Sequence, residues 1–210
     1  MNSFDQLVAK RRSIRKYTPE IPPEELICQM IACAGMAPSP SNIQPVRFIR
    51  IQSGNVKNLL QQRFTSGSEK LLVRAKALKN GKRLLNLVNA YKRYSAFMFY
   101  APVLFAVGVI KGGSGFSKTL LDAGLLKEDL RGETDLDISI GLALKGFILK
   151  GESIGLGSCI LTAPLVFMDD MEAIIGLPDI SVKCFITTGY PDETPSCIEK
   201  KAVKEIYMEI

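Results

Sequence analysis

The segment "DLDISIGLALKGFILKG", Asp135 to Gly151, constrains the fold more than any other. At 3.6 residues per turn its apolar side chains cover most of the circumference. A helix of that kind needs apolar neighbours on more than one side, so it belongs at the centre of the molecule. "PPEELICQMIACAGMAP" predicts a second strong helix. Pro22 and Pro23 stand at its start, Glu24 and Glu25 in its first turn, and Leu26, Ile27, Met30, Ile31 and Ala34 follow at helical spacing until Pro38 stops it. "SFDQLVAKR" spaces Phe4, Leu7 and Val8 in the same way, with Ser3 as its N-cap, and ends near Arg12.

Strand patterns are interspersed with these helices. "VRFIRIQ" alternates, "APVLFAVGVI" and "VKCFITTGYP" read as buried strands, and "GESIGLGSCILTAP" holds a turn and a short strand. Residues 55 to 95 read as helical and basic, with a mobile part around "TSGSEK". "RSIRKYTPEIPP" is extended and Pro-rich, "PSPSNIQP" an irregular loop, and "KGGSGFSKT" a glycine-rich loop. "MDDMEAIIGLP" predicts a short helix ending at Gly176, and the tail "SCIEKKAVKEIYMEI" is basic, then strand-like or extended. Helices and about four strands do not alternate as βαβ units. This favours an α+β fold with a sheet between helices over a doubly wound sheet. With 210 residues, 47% of them hydrophobic, one domain over residues 1–210 with a full core is expected.

Several chemistries are excluded at once. The chain has no histidine, so Ser-His-Asp and Cys-His catalysis are ruled out. Its five cysteines (Cys28, Cys33, Cys159, Cys184, Cys197) form no CxxC pair, which argues against a zinc site, and no metal is expected. Free, small, mostly buried thiols are the plain reading. The N-terminus has no apolar run of signal-peptide length, and the longest apolar stretch, Ala96 to Ile110, contains Pro102 and Gly108. A cytoplasmic protein with no membrane partner is expected.

The net charge is +6, and part of it is concentrated in "RRSIRKY", Arg11 to Tyr17. Arg11, Arg12 and Arg15 with Ser13 offer planar donors and a hydroxyl, which suit a phosphate monoester. A basic helix end facing solvent gives the same pattern, since cations favour a helix C-terminus. A nucleic-acid surface is not expected, because Trp is absent and no aromatic residues interleave with the cations. A second phosphate candidate, "VLFAVGVIKGGSGFSKT", is a near miss for a P-loop: the motif needs Gly before the Lys, and here Ser117 precedes Lys118.

In order along the chain stand "RRSIRKY", "APSPSNIQPVRFI", "APVLFAV", "DISIGLALKGFILKGESIGLGSCILTAP", "TTGYPDE" and "EKKAV". This series resembles the FMN-dependent nitroreductase family over nearly the whole chain. The resemblance implies a mostly antiparallel central sheet between helices and an intertwined homodimer with two FMN sites at the subunit interface. The apolar helix Asp137 to Lys150 would form part of that interface. By the same resemblance, Arg11, Arg12, Ser13 and Arg15 would hold the FMN phosphate and ribityl chain, with Lys200 or Lys201 as a further basic ligand. Ser39, Ser41, Asn42 and Gln44 would come from the other subunit and line the flavin. Ile160, Leu161, Thr162 and Ala163 would run beside it, with a backbone N–H near Leu161 and Thr162 directed at N5. No side chain is assigned as catalytic, and Cys159 is read as packing.

The activity implied is ping-pong hydride transfer from NADH or NADPH through FMN to a nitroaromatic, quinone or similar acceptor. Relatives of the same fold fragment flavin or dehalogenate aromatics, and a non-catalytic FMN-binding or redox-sensing protein would carry the same motifs. The chain departs from the family pattern in two places. The loop continues Gln44-Pro45-Val46 where the family usually has Trp after Pro, and the variable helical segment at about 60–130 is basic and matches no subgroup.

Overall fold

The computed structural model describes residues 3–112, 116–128 and 132–210. Strands β1 (Val46–Arg50), β2 (Val103–Ile110), β3 (Gly157–Leu161) and β4 (Ile180–Gly189) form one sheet in the order β1-β2-β4-β3, with every pair antiparallel. The helices are α1 (Ser3–Lys10), α2 (Glu24–Gly35), α3 (Gly54–Lys76), α4 (Gly81–Ala96), α5 (Phe116–Asp122), α6 (Gly132–Ser153), α7 (Met171–Ile175) and α8 (Val203–Ile206).

β2 is buried on both faces and divides the core by the two-residue alternation of a strand. Val103, Phe105, Val107 and Val109 meet α2 and α6 through Ile27, Met30, Ala143, Leu144 and Phe147. Leu104 and Ala106 turn to the other face, where Leu60 and Phe64 of α3 pack with Phe167 and Met171. The central helix expected from its apolar circumference is α6. Its Phe147 is fully buried, stacked 5.0 Å from Phe48 and edge-on to Phe105 at 5.8 Å. Each such pair adds about 0.5–1.5 kcal/mol beyond area burial.

Three segments differ from the sequence reading. α3 runs unbroken through "TSGSEK", and Gly67 lies so close to the chain at Phe167 that a Cβ there would be 1.8 Å from the Phe167 carbonyl oxygen. Gly67 is thus the contact that lets α3 reach the turn after β3. In "KGGSGFSKT", Lys111 and Gly112 form a turn and Phe116 to Thr119 begin α5, while residues 113–115 lie outside the described residues. Lys118 on α5 pairs with Asp122 at 2.5 Å, one turn away, as an ordinary helix-surface pair. The tail holds the short helix α8 and is otherwise extended, without joining the sheet.

Candidate functional site

The "RRSIRKY" segment is held in a fixed shape. Ser13 pairs in parallel with Ser158 at the outer edge of β3, and the Ile14 N–H donates to the Ser158 carbonyl at 3.1 Å. The Tyr17 hydroxyl donates to the Ile14 carbonyl at 2.5 Å and lies 2.8 Å from the Thr187 hydroxyl. The Glu193 carboxylate accepts the backbone N–H groups of Arg15 (2.5 Å) and Lys16 (3.0 Å). Gly157 makes this approach feasible, since a Cβ there would fall 2.4 Å from Ile14 Cγ1. "RRSIRKY", "GLGSC" and "GYPDE", distant in sequence, therefore meet at one corner of the sheet.

The arginines then separate by role. Arg12 Nη1 donates to the carbonyls of Ala9 (2.7 Å), Lys10 (3.2 Å) and Arg11 (2.8 Å), closing the C-terminus of α1. Here the helix-end reading of the segment holds. The Arg11 guanidinium has no hydrogen-bond or ion-pair partner among the described residues, and the Arg15 guanidinium has only a 3.5 Å contact from Nη1 to the Ser13 carbonyl. Burial raises the Cys159 thiol pKa, while the positive fields of Arg15 and Arg11 pull it down; burial prevails. Cys159 is thus a protonated packing group, and two guanidinium groups stand nearby with donors to offer.

β3 is an edge strand, so alternate residues turn their backbone groups away from β4. The Ser158 carbonyl faces outward to Ile14, and by alternation Ile160 faces the same way, while Thr162, just past the strand, turns into a helical conformation and its carbonyl accepts the Leu165 N–H at 3.1 Å. Ile160 is 38% exposed. Beyond it, Thr162 and Ala163 border a cleft of about 480 Å³ whose other walls are Leu71, Leu87, Val88, Tyr91, Val166 and Phe167. From Ser158 to Thr162 the edge runs about 13 Å. It starts beside two available guanidinium groups, turns the backbone of Ile160 outward between its ends, and ends at an apolar cleft.

The second predicted loop lies elsewhere. Ser39 Oγ accepts the Gln44 N–H at 2.9 Å, and Gln44 Nε2 donates to Asn42 Oδ1 at 3.2 Å. Ser41, Asn42 and Gln44 have φ of 50°, 54° and 46°. A left-handed conformation is costly for side-chain-bearing residues, by about 1 kcal/mol or more each. This loop enters β1 where Val46 pairs with Val109, and Val109 with Ser181, whereas Ser13 sits beside Ser158 and Thr188. The two loops occupy diagonal corners of the sheet, about 30 Å apart. A hollow of about 190 Å³ adjoins Pro45 and Val46, bounded also by Ser139 and Ala143, at the position where the family pattern carries Trp.

Lys200 and Lys201 lie in the exposed tail and form no ion pair among the described residues. Sequence reasoning gave no role to Tyr17 and Glu193, which fix the arginine segment. Their only signal was position, at the ends of "RRSIRKY" and "GYPDE".

Comparison with known proteins finds matches over most of the chain. The family model described as "Nitroreductase family" matches residues 8–190. The crystal structure of a BluB-like flavoprotein from Clostridium difficile 630 superposes with a TM-score of 0.82 at 25% identity, covering 100% of both chains. Iodotyrosine deiodinase 1 of Mus musculus is 25% identical over 99% of this chain and 69% of its own length. The putative NAD(P)H nitroreductase YfhC of Bacillus subtilis is 24% identical over 97% of this chain and 92% of its own.

Proposed function

The chain belongs to the nitroreductase family, and on that premise we propose that it is an FMN-dependent oxidoreductase that passes electrons from NADH or NADPH to a small organic acceptor. The observation that carries this reading is the β3 edge, with available Arg11 and Arg15 at one end and an apolar cleft beside Thr162 and Ala163 at the other. The residues fit FMN. A terminal phosphate monoester carries nearly two negative charges and suits two guanidinium groups with the Ser13 hydroxyl. FMN, when bound, supplies two-electron chemistry through N5 from a nicotinamide to an oxidised acceptor.

Each part of the chain has its own work in that scheme. Arg11 and Arg15 bind the phosphate, while Tyr17, Glu193 and Arg12 hold the segment that carries them. The outward backbone N–H of Ile160 orients the ring edge with a donor that does not titrate. Leu71, Leu87, Val88 and Phe167 keep water from the cleft. Nitroaromatics, quinones and similar flat acceptors match a cleft with apolar walls.

A homodimer completes the site. Ser39, Ser41, Asn42 and Gln44 are about 30 Å from their own chain's arginines, so they serve the flavin of a second copy. Two other features support pairing. Ile138 and Leu142 form an exposed apolar stripe on α6, and the tail exposes Ile198, Val203, Ile206, Tyr207 and Met208. Lys200 and Lys201 on that tail are assigned to the partner's phosphate.

Likeness to iodotyrosine deiodinase and to a BluB-like flavoprotein favours a second reading, in which the cleft takes a halogenated aromatic or the flavin itself is consumed. The test is steady-state reduction of a panel with a nitroaromatic, a quinone and a halotyrosine, with flavin recovery followed by chromatography. Turnover of the first two with flavin intact supports the proposal. Halide release as the only activity, or loss of flavin into a fragment, replaces it with the second reading.

A further inference from the structure

The positive charge of the molecule is not mainly at the arginine loop. Residues 54–96, the hairpin of α3 and α4, hold ten Lys and Arg against one acidic residue, Glu69, a net +9 in a chain whose total is +6. The rest of the molecule is therefore net negative. None of these ten cations forms an ion pair among the described residues. Structural charges on helices usually acquire acidic partners one turn away; here such partners are nearly absent. Leaving so many like charges together destabilises the hairpin, and that cost calls for an anionic partner.

The charge is also placed with respect to the cleft. Arg83, Leu87 and Tyr91 follow one another at four-residue spacing on α4 and form one ridge. Leu87 and Tyr91 line the apolar cleft beside Thr162 and Ala163. Arg83 lines a second, open basin of about 500 Å³ with Lys79, Asn80, Lys82 and Asn86. From Tyr91 to Arg83 the helix rises about 12 Å. One ridge thus leads from an apolar, ring-sized cleft to a basin with three cations and two amides. An elongated ligand with a flat ring at one end and several phosphates at the other matches that order.

We propose that the basin at Lys79, Lys82 and Arg83 docks the phosphates of the reducing dinucleotide and makes the chain select the 2′-phosphorylated form, NADPH, over NADH. This rests on the flavin-dependent reading above, with the nicotinamide ring in the cleft. The diphosphate passes Arg83, and the extra monoester, with its near-double charge, meets Lys79 and Lys82. The amides of Asn80 and Asn86 add hydrogen-bond donors, which a purely repulsive surface patch does not need.

The experiment has a binding arm and a kinetic arm. Adenosine 2′,5′-bisphosphate and 5′-AMP are titrated calorimetrically into the wild-type protein and into K82Q/R83Q. The expected result is a preference of at least about tenfold for the bisphosphate, weakened by added salt and abolished in the variant. In the kinetic arm, K82Q/R83Q lowers kcat/KM for NADPH by roughly ten- to a hundredfold. Turnover with a dihydronicotinamide lacking phosphates, and FMN content, stay within about twofold.

Equal affinity for the two nucleotides, or an unchanged NADPH rate in the variant, overturns the proposal. So does a uniform loss with the phosphate-free donor. Binding of the same residues to phosphatidylserine vesicles in place of the bisphosphate also overturns it and reassigns the surface. If no nicotinamide reduces the flavin, the parent reading fails, and the calorimetric arm still decides whether the basin takes phosphates.

Discussion

Two basic regions of this molecule are built in opposite ways. In the segment Arg11 to Tyr17 the backbone is fixed by Ser158, Thr187 and Glu193, and Arg12 is committed to the α1 terminus. Arg11, Arg15 and Lys16 keep their charge available among the described residues, with Arg11 and Arg15 offering the planar donors. In the α3–α4 hairpin ten cations, on the two helices and the turn between them, form no ion pair among the described residues. The first region has few charges held in place, which suits one phosphate bound tightly. The second has many charges over a wider area with no ion pairs among the described residues, which suits attraction of an anionic ligand that comes and goes. Charge density in the sequence does not separate these cases; the partners of each side chain do.

The largest expected effect is at the fixed region. Arg15→Ala or Arg11→Ala weakens FMN binding by roughly 10- to 150-fold, for loss of a charge-assisted pair worth about 1.5–3 kcal/mol. FMN titration monitored by flavin fluorescence measures this, and unchanged affinity would remove the phosphate role. Gly157→Ala forces a Cβ into Ile14 and should cost about 1–3 kcal/mol in urea unfolding while also loosening the arginine segment. Full stability with full FMN affinity would show that the close approach of the two segments is dispensable. Tyr17→Phe removes the bonds to Ile14 and Thr187 and should cost about 1–2 kcal/mol.

The smallest stability effect is expected in the hairpin. Lys76→Gln or Lys79→Gln should change stability by no more than about 0.5 kcal/mol, in the stabilising direction at low salt. Arg12→Ala deprives the Ala9, Lys10 and Arg11 carbonyls of their shared donor and should cost about 1 kcal/mol. Comparable losses at Lys79 and Arg12 would erase the contrast.

The buried thiols give a separate pH test. Burial raises the Cys184 pKa from 9.0 to about 12. The unfolded chain then releases this proton at lower pH than the native state does. Stability falls as pH rises above about 9 and levels only near 12. Cys184→Ala should flatten that alkaline decline, although it also leaves a small cavity. Thiol labelling of the native protein should reach the exposed Cys28, Cys33 and Cys197 while sparing Cys159 and Cys184.

Much of the scaffold was legible because local signals and burial agreed. Pro22, Pro23 and Pro38 bracket α2, and the wide apolar face of α6 places it centrally. The helical character of α3 was legible, but the role of Gly67 was not, because its close neighbour, the Phe167 carbonyl, lies a hundred residues away in sequence. Of the candidate site, the residues were visible as motifs while their grouping was not. Three motifs converge through pairing of β3 with β4 and with Ser13, contacts between segments far apart in sequence. The fourth, Ser39 to Gln44, lies at the opposite corner, a separation that follows from strand order alone. The tail's extended reading missed α8, a single turn whose Glu205 carboxylate accepts the Ala202 N–H at 2.8 Å.

The most direct measurement is the visible spectrum of the purified protein, followed by anaerobic addition of NADPH. Flavin absorbance at one FMN per chain is expected, bleaching on NADPH and returning when an acceptor is added. A colourless protein that takes up no added FMN would contradict the assignment of the arginine segment and the β3 edge to a flavin.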